Sequence, residues 1–584
     1  MSLRVVKGEP LGRLLGDLPE YRLWAGGLAG QGTSAGGVRA EGQADGGLPG
    51  KGPAAGGARG EAGRRGSIPA ERGKGGAAPG DRPAGGWLSG GAGGGSWGDG
   101  RLGGGCDAVV TGVAEHTSRV GPGTVFACVP GLRHDGHAFA ETAVAAGAVA
   151  LIVERPVPGC GDVPQVVVPS VRAAAALMAR RLYGRPDARQ LILAVTGTNG
   201  KTTTTYMLDS IFARAGRPIG VVGTIGARIG GVQRPADLTT PVSADLYALL
   251  ADALTAGLAG VALEASSHAL DQHRLEGLLV DTAIFTNFTR DHLDYHGDAM
   301  SYFAAKRRLF RARGGGKAEP ELAVLCCDQP AGRLLLRTLP PSRRAVSFGF
   351  APDADVRGEL RGEHELLITG PWGAERVRLP LPGRHNAANA LAAAAAALAN
   401  GVGMAEVAEG IAAMEPLPGR FERVDVGQPF QVIVDFAHNP DGLACTLRAA
   451  RAACPRRLLV VFGCKGGDGD TEKRLRMGAV VAAHADACIV TTDDPYDEDP
   501  AAIAELAAEG ARRRPGGADV RVLLDREEAI AEAIDLAGPG DLVLVAGRGH
   551  EAWQTVRGQR LPLRDRDACL RALARGAALA RPAG

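Results

Sequence analysis

Residues 196–203 read Thr-Gly-Thr-Asn-Gly-Lys-Thr-Thr, directly after the apolar run Leu191-Ile192-Leu193-Ala194-Val195 and before the helical stretch Thr204-Thr205-Tyr206-Met207-Leu208. A buried strand that ends in a glycine-rich turn and reopens as a helix aims backbone N–H groups and the helix's positive end at one point. That is a cradle for phosphate. Gly197 and Gly200 permit the tight path, Lys201 brings a point charge to the outer phosphates, and the Thr202 hydroxyl is placed for Mg²⁺. Thr198, Asn199 and Thr203 complete the loop's expected phosphate contacts. The turn is shorter than the general phosphate loop, since only Thr198 and Asn199 separate Gly197 from Gly200-Lys201.

Positioning such a loop takes a parallel sheet, and the chain supplies the pattern for more than one. At 584 residues it exceeds a single hydrophobic core, and three domains are expected. Beyond residue 107, runs at Val125–Val129, Val149–Val153 and Val166–Val168 read as strands around a helix at Phe139–Ala146, a small α/β unit closed by a helix at Val171–Tyr183. A Gly-Arg-Pro-Asp turn at 184–187 marks the first border, so residues 1–188 form the first domain. Strands at Gly220–Gly223, Val261–Glu264 and Thr282–Phe285 alternate with helices through 189–415, a central P-loop ATPase-like parallel sheet. After Glu415-Pro-Leu-Pro-Gly419, strands at Val432–Val434, Leu458–Phe462, Ala487–Val490, Val520–Leu524 and Leu542–Ala546 make 416–584 a Rossmann-like, doubly wound domain. The fold class is therefore α/β.

One segment breaks the pattern. Residues 25–105 are mostly glycine, alanine, arginine and proline without aliphatic periodicity, and such a stretch cannot offset its chain entropy by burial. It is expected to be a disordered insertion between a short helix at Leu11–Leu18 and a strand at Asp107–Thr111. The segment lacks an Arg-Gly-Gly triplet, so a solvated linker is favoured over an RNA-binding tail. A formal net charge of +2 argues against nucleic acid or an acidic membrane surface as partner. No apolar run approaches the ~20 residues of a membrane span and no signal peptide opens the chain, so a cytoplasmic protein, a monomer, is expected. Ten cysteines without a Cys-x-x-Cys pair suit neither a zinc site nor a disulfide framework, and reduced, mostly buried thiols are expected.

Further motifs follow the phosphate loop in a fixed order: LEASSHAL at 263–270, TNFTRDHLDYHG at 286–297, YFAAKRRLF at 302–310, GRHNAANALAA at 383–393, PGRFE at 418–422 and VDFAHNPDGL at 434–443. From about Asp107 to the C-terminus the chain thereby resembles the ATP-dependent Mur ligases of peptidoglycan precursor synthesis. SSHALDQHRL, VDFAHNPDGL and AGRGHE at 546–551 most resemble the branch that adds a diamino acid to UDP-N-acetylmuramoyl-L-alanyl-D-glutamate. The resemblance implies phosphorylation of a carboxylate by ATP and attack of an amine on the acylphosphate. Such chemistry needs positioning and charge neutralisation rather than a covalent nucleophile.

Residue by residue, the resemblance implies Thr202, Glu264, His292 and Lys306 as metal ligands, with Lys201, Glu264, His292 and Lys306 the catalytic group. Lys306 is expected to carry CO₂ as a carbamate, N6-carboxylysine, because a cationic lysine would oppose a metal. Asn386, Arg420 and Asp435 are implied in ATP binding. Ser118, Thr239, Thr240, Ser266, Gln272 and Arg274 are implied for the UDP-sugar peptide, although Thr117-Ser118-Arg119 replaces the family's Asp-Ser-Arg.

The amino-acid end is implied at Arg474, Asp493, Asp494, Tyr496, Gly547 and Glu551. Relatives that add meso-diaminopimelate carry Asp-Asn-Pro-Arg, whose arginine forks onto the distal carboxylate; here the residues are Asp493-Asp494-Pro495-Tyr496. Loss of that arginine and gain of a carboxylate favour L-lysine or ornithine, with meso-diaminopimelate possible if Arg548 replaces the guanidinium. GCKGGDGD at 463–470 is also one residue longer than the family's motif. Two other readings share parts of the pattern. A folylpolyglutamate-synthetase-like ligase would leave SSHALDQHRL and AGRGHE without a purpose, and a non-catalytic scaffold would leave Thr202, Glu264, His292 and Lys306 so.

Overall fold

The structure, a computed structural model, describes residues 8–19, 21–24, 108–131, 134–311, 320–467, 470–514 and 516–579. The segment expected as an insertion at 25–105 lies outside the described residues. Three α/β units follow one another along the chain. The first holds a five-stranded sheet in the order Arg22–Trp24, Gln165–Val167, Ala148–Val153, Thr124–Ala127, Gly112–Ala114. Its strands are parallel except Arg22–Trp24, an edge that the sequence pattern did not disclose. The expected short helix is an α-turn at Leu11–Leu14 continued as a 3₁₀ turn at Leu15–Asp17. Its four leucines are buried together with the helix Val171–Leu182, whose N-terminus is capped by the Ser170 hydroxyl.

The second unit is an eleven-stranded sheet. Its parallel centre runs Ile219–Gly223, Gly260–Glu264, Leu191–Thr196, Thr282–Phe285, Leu322–Cys326, Arg344–Gly349, Val356–Arg361. Antiparallel strands Gly226–Ile229 and Val232–Arg234 extend one edge, and Glu365–Gly370 and Gly373–Arg378 the other. The helix Arg384–Ala399 is buried over most of its length, because alanines at ten of its sixteen positions let its backbone lie close to the sheet and to the helix Lys201–Arg214.

The third unit is a six-stranded sheet in the order Glu422–Arg423, Gln431–Asp435, Leu542–Ala546, Leu458–Phe462, Ala487–Val490, Asp519–Val522. All but the first strand are parallel, and separate apolar clusters cover its two faces. It is doubly wound, as the alternating pattern requires. We propose that each sheet with its helices is one domain, bordered as the sequence suggests at 188/189 and 415/416.

Among the described residues no helix is long and apolar enough to cross a membrane, and all nine described cysteines are free thiols, mostly buried. The functional motifs sit at the carboxyl ends of parallel strands. Gly197 follows Leu191–Thr196, Glu264 ends Gly260–Glu264, and Asp435, Gly463 and Gly547 end or follow three strands of the last sheet. Open α/β sheets place their ligand sites at these ends.

Candidate active site

The phosphate loop is held from below by the segment after strand Thr282–Phe285. Thr198 N–H donates to the Asn287 carbonyl (3.1 Å), Asn199 N–H to Asn287 Oδ1 (2.9 Å), and Thr286 Oγ1 donates to the Asn199 carbonyl (2.7 Å). The packing explains both glycines. A Cβ on Gly197 would lie 1.9 Å from Thr286 Oγ1, and one on Gly200, whose φ is +87°, would lie 2.1 Å from Asn389 Oδ1. Gly200 is the N-cap of the helix Lys201–Arg214, so the helix's free N–H groups open onto the loop. Lys201 Nζ folds over the loop onto the carbonyls of Gly197 (3.1 Å) and Thr198 (2.9 Å). Burial lowers its pKa, against the pull of Glu264 and Asp291.

Glu264 is buried at its strand end and shared among hydroxyls. Its Oε1 accepts from Thr202 Oγ1 (2.9 Å) and Thr224 N–H (2.8 Å), and its Oε2 from Thr224 Oγ1 (2.9 Å). Arg420, from the third unit, donates to Thr202 Oγ1 (2.9 Å) and lies over the Phe436 ring. Thr202 and Glu264 thus put hard oxygen donors beside the loop, a donor set that fits Mg²⁺. His292, in the left-handed region at φ +53°, packs edge-on against His268, and burial pushes its imidazole well below the usual range. A neutral imidazole is the form that ligates metal.

Lys306, on the helix Ala299–Arg307, is 1% exposed and donates to the Gly197 carbonyl (2.7 Å) above the Tyr302 ring. Burial, and then the charge of Lys201, drive its pKa far down. That direction favours the free amine, the species that adds CO₂.

The third unit lies across the loop. Asn439 Nδ2 donates to Asn199 Oδ1 (3.0 Å) and Asp291 Oδ2 (3.0 Å), and Arg290 reaches Glu472 (2.6 Å). Asp291 was not singled out in the sequence, yet its buried carboxylate is the hub of this contact. Burial opposes its charge, but His292, His438 and Lys473 outweigh burial and keep it ionised. Asp435 accepts from Phe421 N–H (2.7 Å), Ala437 N–H (2.9 Å) and Thr446 Oγ1 (2.9 Å). It therefore shapes the turn that carries Arg420. Asn386 is buried and donates to the Pro382 carbonyl (2.8 Å), while its Oδ1 accepts from Asn389 (3.3 Å). Nearby, the Arg384 guanidinium stacks on Phe350 at 3.7 Å.

Lys201, Thr202, Glu264, Asp291, His292, Asn386, Arg420 and Asp435 line one continuous cleft of about 1580 Å³, with Lys306 and Asn439 buried behind its wall. Toward the first unit its wall includes Thr239, Ser266 and Arg274. Thr240 is buried behind them, bonding Ser266 Oγ (3.1 Å) and, through its carbonyl, Arg274 Nη1 (2.8 Å). Gln272 accepts from Arg274 Nη2 (2.7 Å) and so orients the guanidinium. Ser118 lies apart from this wall, in an exposed turn where its Oγ meets His116 Nδ1 (2.7 Å). Glu115, unremarked in the sequence, is a half-buried carboxylate that accepts from Ser243 Oγ (3.0 Å), its pKa raised by desolvation.

At the opposite end the amino-acid residues do not all face the cleft. Asp494, Tyr496 and Glu551 line it; Arg474 and Asp493 are buried, and a Cβ on Gly547 would press on Asp493 Oδ2 at 2.8 Å. The carboxylates of Asp493 and Asp494 have a partner in Arg548. Its guanidinium is fully buried and donates to Asp494 Oδ1 (2.8 Å), Asp493 Oδ1 (3.2 Å) and the Trp553 carbonyl. So held, it does not offer itself to a substrate. Arg474 is clasped by Glu498 through two bonds of 2.8 and 2.9 Å. Lys465, in the GCKGG stretch, bonds Glu551 Oε1 (2.7 Å) and stands 3.4 Å from Asp494 Oδ2. The extra residue in that motif was the signal for it.

Three family models match successive parts of the chain: the Mur ligase family, catalytic domain at residues 109–183, the Mur ligase middle domain at 195–397, and the Mur ligase, glutamate ligase domain at 419–549. The chain is 42% identical over 463 residues to the UDP-N-acetylmuramoyl-L-alanyl-D-glutamate--2,6-diaminopimelate ligase of Solibacter usitatus, covering 78% of this chain and 92% of that protein. It is 42% identical over 454 residues to the protein of the same name from Geobacillus thermodenitrificans, covering 76% of this chain and 91% of that one. A solved structure of a protein of that name matches with a TM-score of 0.55 and 29% identity, over 80% of this chain and 96% of that chain.

Proposed function

The chain belongs to the Mur ligase family, ATP-dependent enzymes that form amide bonds, and from that premise we propose that it joins a diamino acid to the D-glutamyl carboxylate of UDP-N-acetylmuramoyl-L-alanyl-D-glutamate. The observation that carries the reading is the convergence of Lys201, Thr202, Glu264 and Lys306 with Arg420 of the third unit around one phosphate loop. ATP's γ-phosphoryl passes to the carboxylate with release of ADP, and the amine then displaces phosphate from the acylphosphate. Lys201, the loop N–H groups and Arg420 neutralise the charge that builds on the phosphoryl oxygens, and the third unit's position over the loop excludes water from the acylphosphate.

Thr202, Glu264, His292 and a carbamylated Lys306 would hold Mg²⁺, which when bound adds positive charge at the phosphates. In the carbamate the free amine's nitrogen bonds to the carbon of CO₂ and gives up one proton, so a neutral group becomes an anion. Thr239, Ser266 and Arg274 would take the sugar peptide, with Thr240 and Gln272 positioning them. Ser118 would take part only at the outer edge.

Two observations bear on the amino acid. Tyr496 supports one without a distal carboxylate, L-lysine or ornithine. The pairing of Asp493 and Asp494 with Arg548, and of Glu551 with Lys465, supports meso-diaminopimelate, because the repulsion expected of bare carboxylates is offset. We take meso-diaminopimelate as the substrate. Competition of meso-diaminopimelate, L-lysine and L-ornithine for incorporation tests this, and preference for either monocarboxylic amino acid restores the reading from Tyr496.

A further inference from the structure

The loop after strand Leu458–Phe462 crosses the turn at Asp494–Tyr496. Gly466 N–H donates to the Asp494 carbonyl (2.7 Å) and Gly467 N–H to Glu498 Oε1 (2.5 Å), so the loop's path is tied to the turn. Lys465 is thereby delivered to the cleft wall, with its side chain 23% exposed and its ammonium on Glu551 Oε1. Burial works against that charge, but Glu551, Asp493 and Asp494 overcome it and raise the lysine's pKa. Of the neighbouring cations, Arg548 is fully buried behind the two aspartates and Arg474 is clasped by Glu498. Lys465 is the one of these three that lines the cleft.

Glu551 meets Lys465 through Oε1 alone. Its Oε2 accepts no hydrogen bond among the described residues, and the nearest recorded cation, Arg548 Nη1, stays 3.7 Å away. An ammonium on the cleft wall and, buried beside it, a carboxylate oxygen without a hydrogen-bond partner therefore stand side by side. That pair matches a zwitterion, because each partner alone would leave one charge of an α-amino-acid group unmet.

We propose that Lys465 receives the distal carboxylate of the incoming amino acid while Glu551 Oε2 receives its distal ammonium. Lys465 is then the specificity-determining residue for a 2,6-diamino dicarboxylic acid, and does from the longer loop what an arginine at 496 would do. The inference rests on the reading that this cleft takes the amino-acid substrate. It also accounts for two departures from the family pattern together: the loop gains a cation where the turn has a tyrosine instead.

The test is steady-state kinetics of phosphate release by the full chain with meso-diaminopimelate and, separately, L-lysine. Lys465→Ala should lower kcat/KM for meso-diaminopimelate by roughly 10- to 100-fold, mainly through KM, as expected for a lost hydrogen bond between charged groups. The kcat/KM for L-lysine should not fall, because it has no distal carboxylate and its distal ammonium meets the freed Glu551, and the constants for ATP and the UDP-dipeptide should change by no more than about twofold. Lys465→Arg should keep most of the preference. An unchanged KM for meso-diaminopimelate in Lys465→Ala, or equal losses for both amino acids, overturns the inference, and so does a wild-type enzyme that prefers L-lysine. In those cases the ligase reading stands; if neither amino acid supports phosphate release, both fall.

Discussion

Asn439 has two separable jobs, and Asn439→Ser divides them. Within the third unit its Oδ1 accepts the Gly442 N–H (2.8 Å) and caps the helix Pro440–Ala453. Serine caps about as well as asparagine, so stability should fall by less than about 1 kcal/mol. Between units, its Nδ2 donates to Asn199 Oδ1 and to the buried carboxylate of Asp291, both at 3.0 Å. Serine is too short to reach either. A hydrogen bond to a charged group contributes about 1.5–3 kcal/mol and a neutral one about 0.5–1.5. The two are not strictly additive, and Asp291 keeps Lys473 at 3.8 Å, so a loss of about 2–3 kcal/mol in the closed arrangement is expected. At 1.4 kcal/mol per tenfold, closure should weaken roughly 30- to 150-fold. The assay is ADP release with all three substrates saturating, beside a thermal melt. The expected result is a kcat reduced by well over tenfold with a melting temperature within a few degrees of wild type. A kcat within about twofold of wild type would refute the claim that these bonds hold the third unit over the phosphate loop.

Lys306→Ala should be nearly inactive, and short carboxylic acids that restore the carbamate's negative charge should recover part of the rate; no rescue by any of them would count against the carbamate. Because burial and Lys201 lower the Lys306 pKa and so favour the amine that adds CO₂, depleting CO₂ should slow the wild-type enzyme and bicarbonate should restore it, read in the same assay. Deleting residues 25–105, which lie outside every motif and lack core-forming periodicity, should leave the constants for all three substrates essentially unchanged, and a large loss would mean that the segment takes part in binding.

Strands whose residues are buried on both faces announced themselves as unbroken apolar runs, and Thr282–Phe285, Leu458–Phe462 and Leu542–Ala546 lie where the pattern put them. Leu322–Cys326 is a run of the same kind that was not read, whereas the strands from Val356 to Arg378 went unread because they alternate charged and apolar residues at a sheet edge and carry no comparable run. The site divides in the same way. Glycine spacing and Lys201-Thr202 disclose the phosphate loop because its chemistry is local. Asp291, Asn439, Arg548 and Lys465 act through partners far along the chain, as when Asn439 meets Asn199 across 240 positions, and periodicity carries no record of such a meeting. At the amino-acid end Asp493 and Asp494 were visible as charges, but Arg548 beneath them and Lys465 beside them became their partners only in the fold.

The central claim is that one cleft couples ATP cleavage to amide formation between a UDP-sugar dipeptide and a diamino acid. It is tested most directly by measuring phosphate release from ATP with each substrate omitted in turn and identifying the product by mass. Phosphate should appear in stoichiometric amount with a UDP-N-acetylmuramoyl-tripeptide only when ATP, UDP-N-acetylmuramoyl-L-alanyl-D-glutamate and a diamino acid are all present. Release that does not depend on the dipeptide, or a product in which no amide bond joins the two, would contradict it.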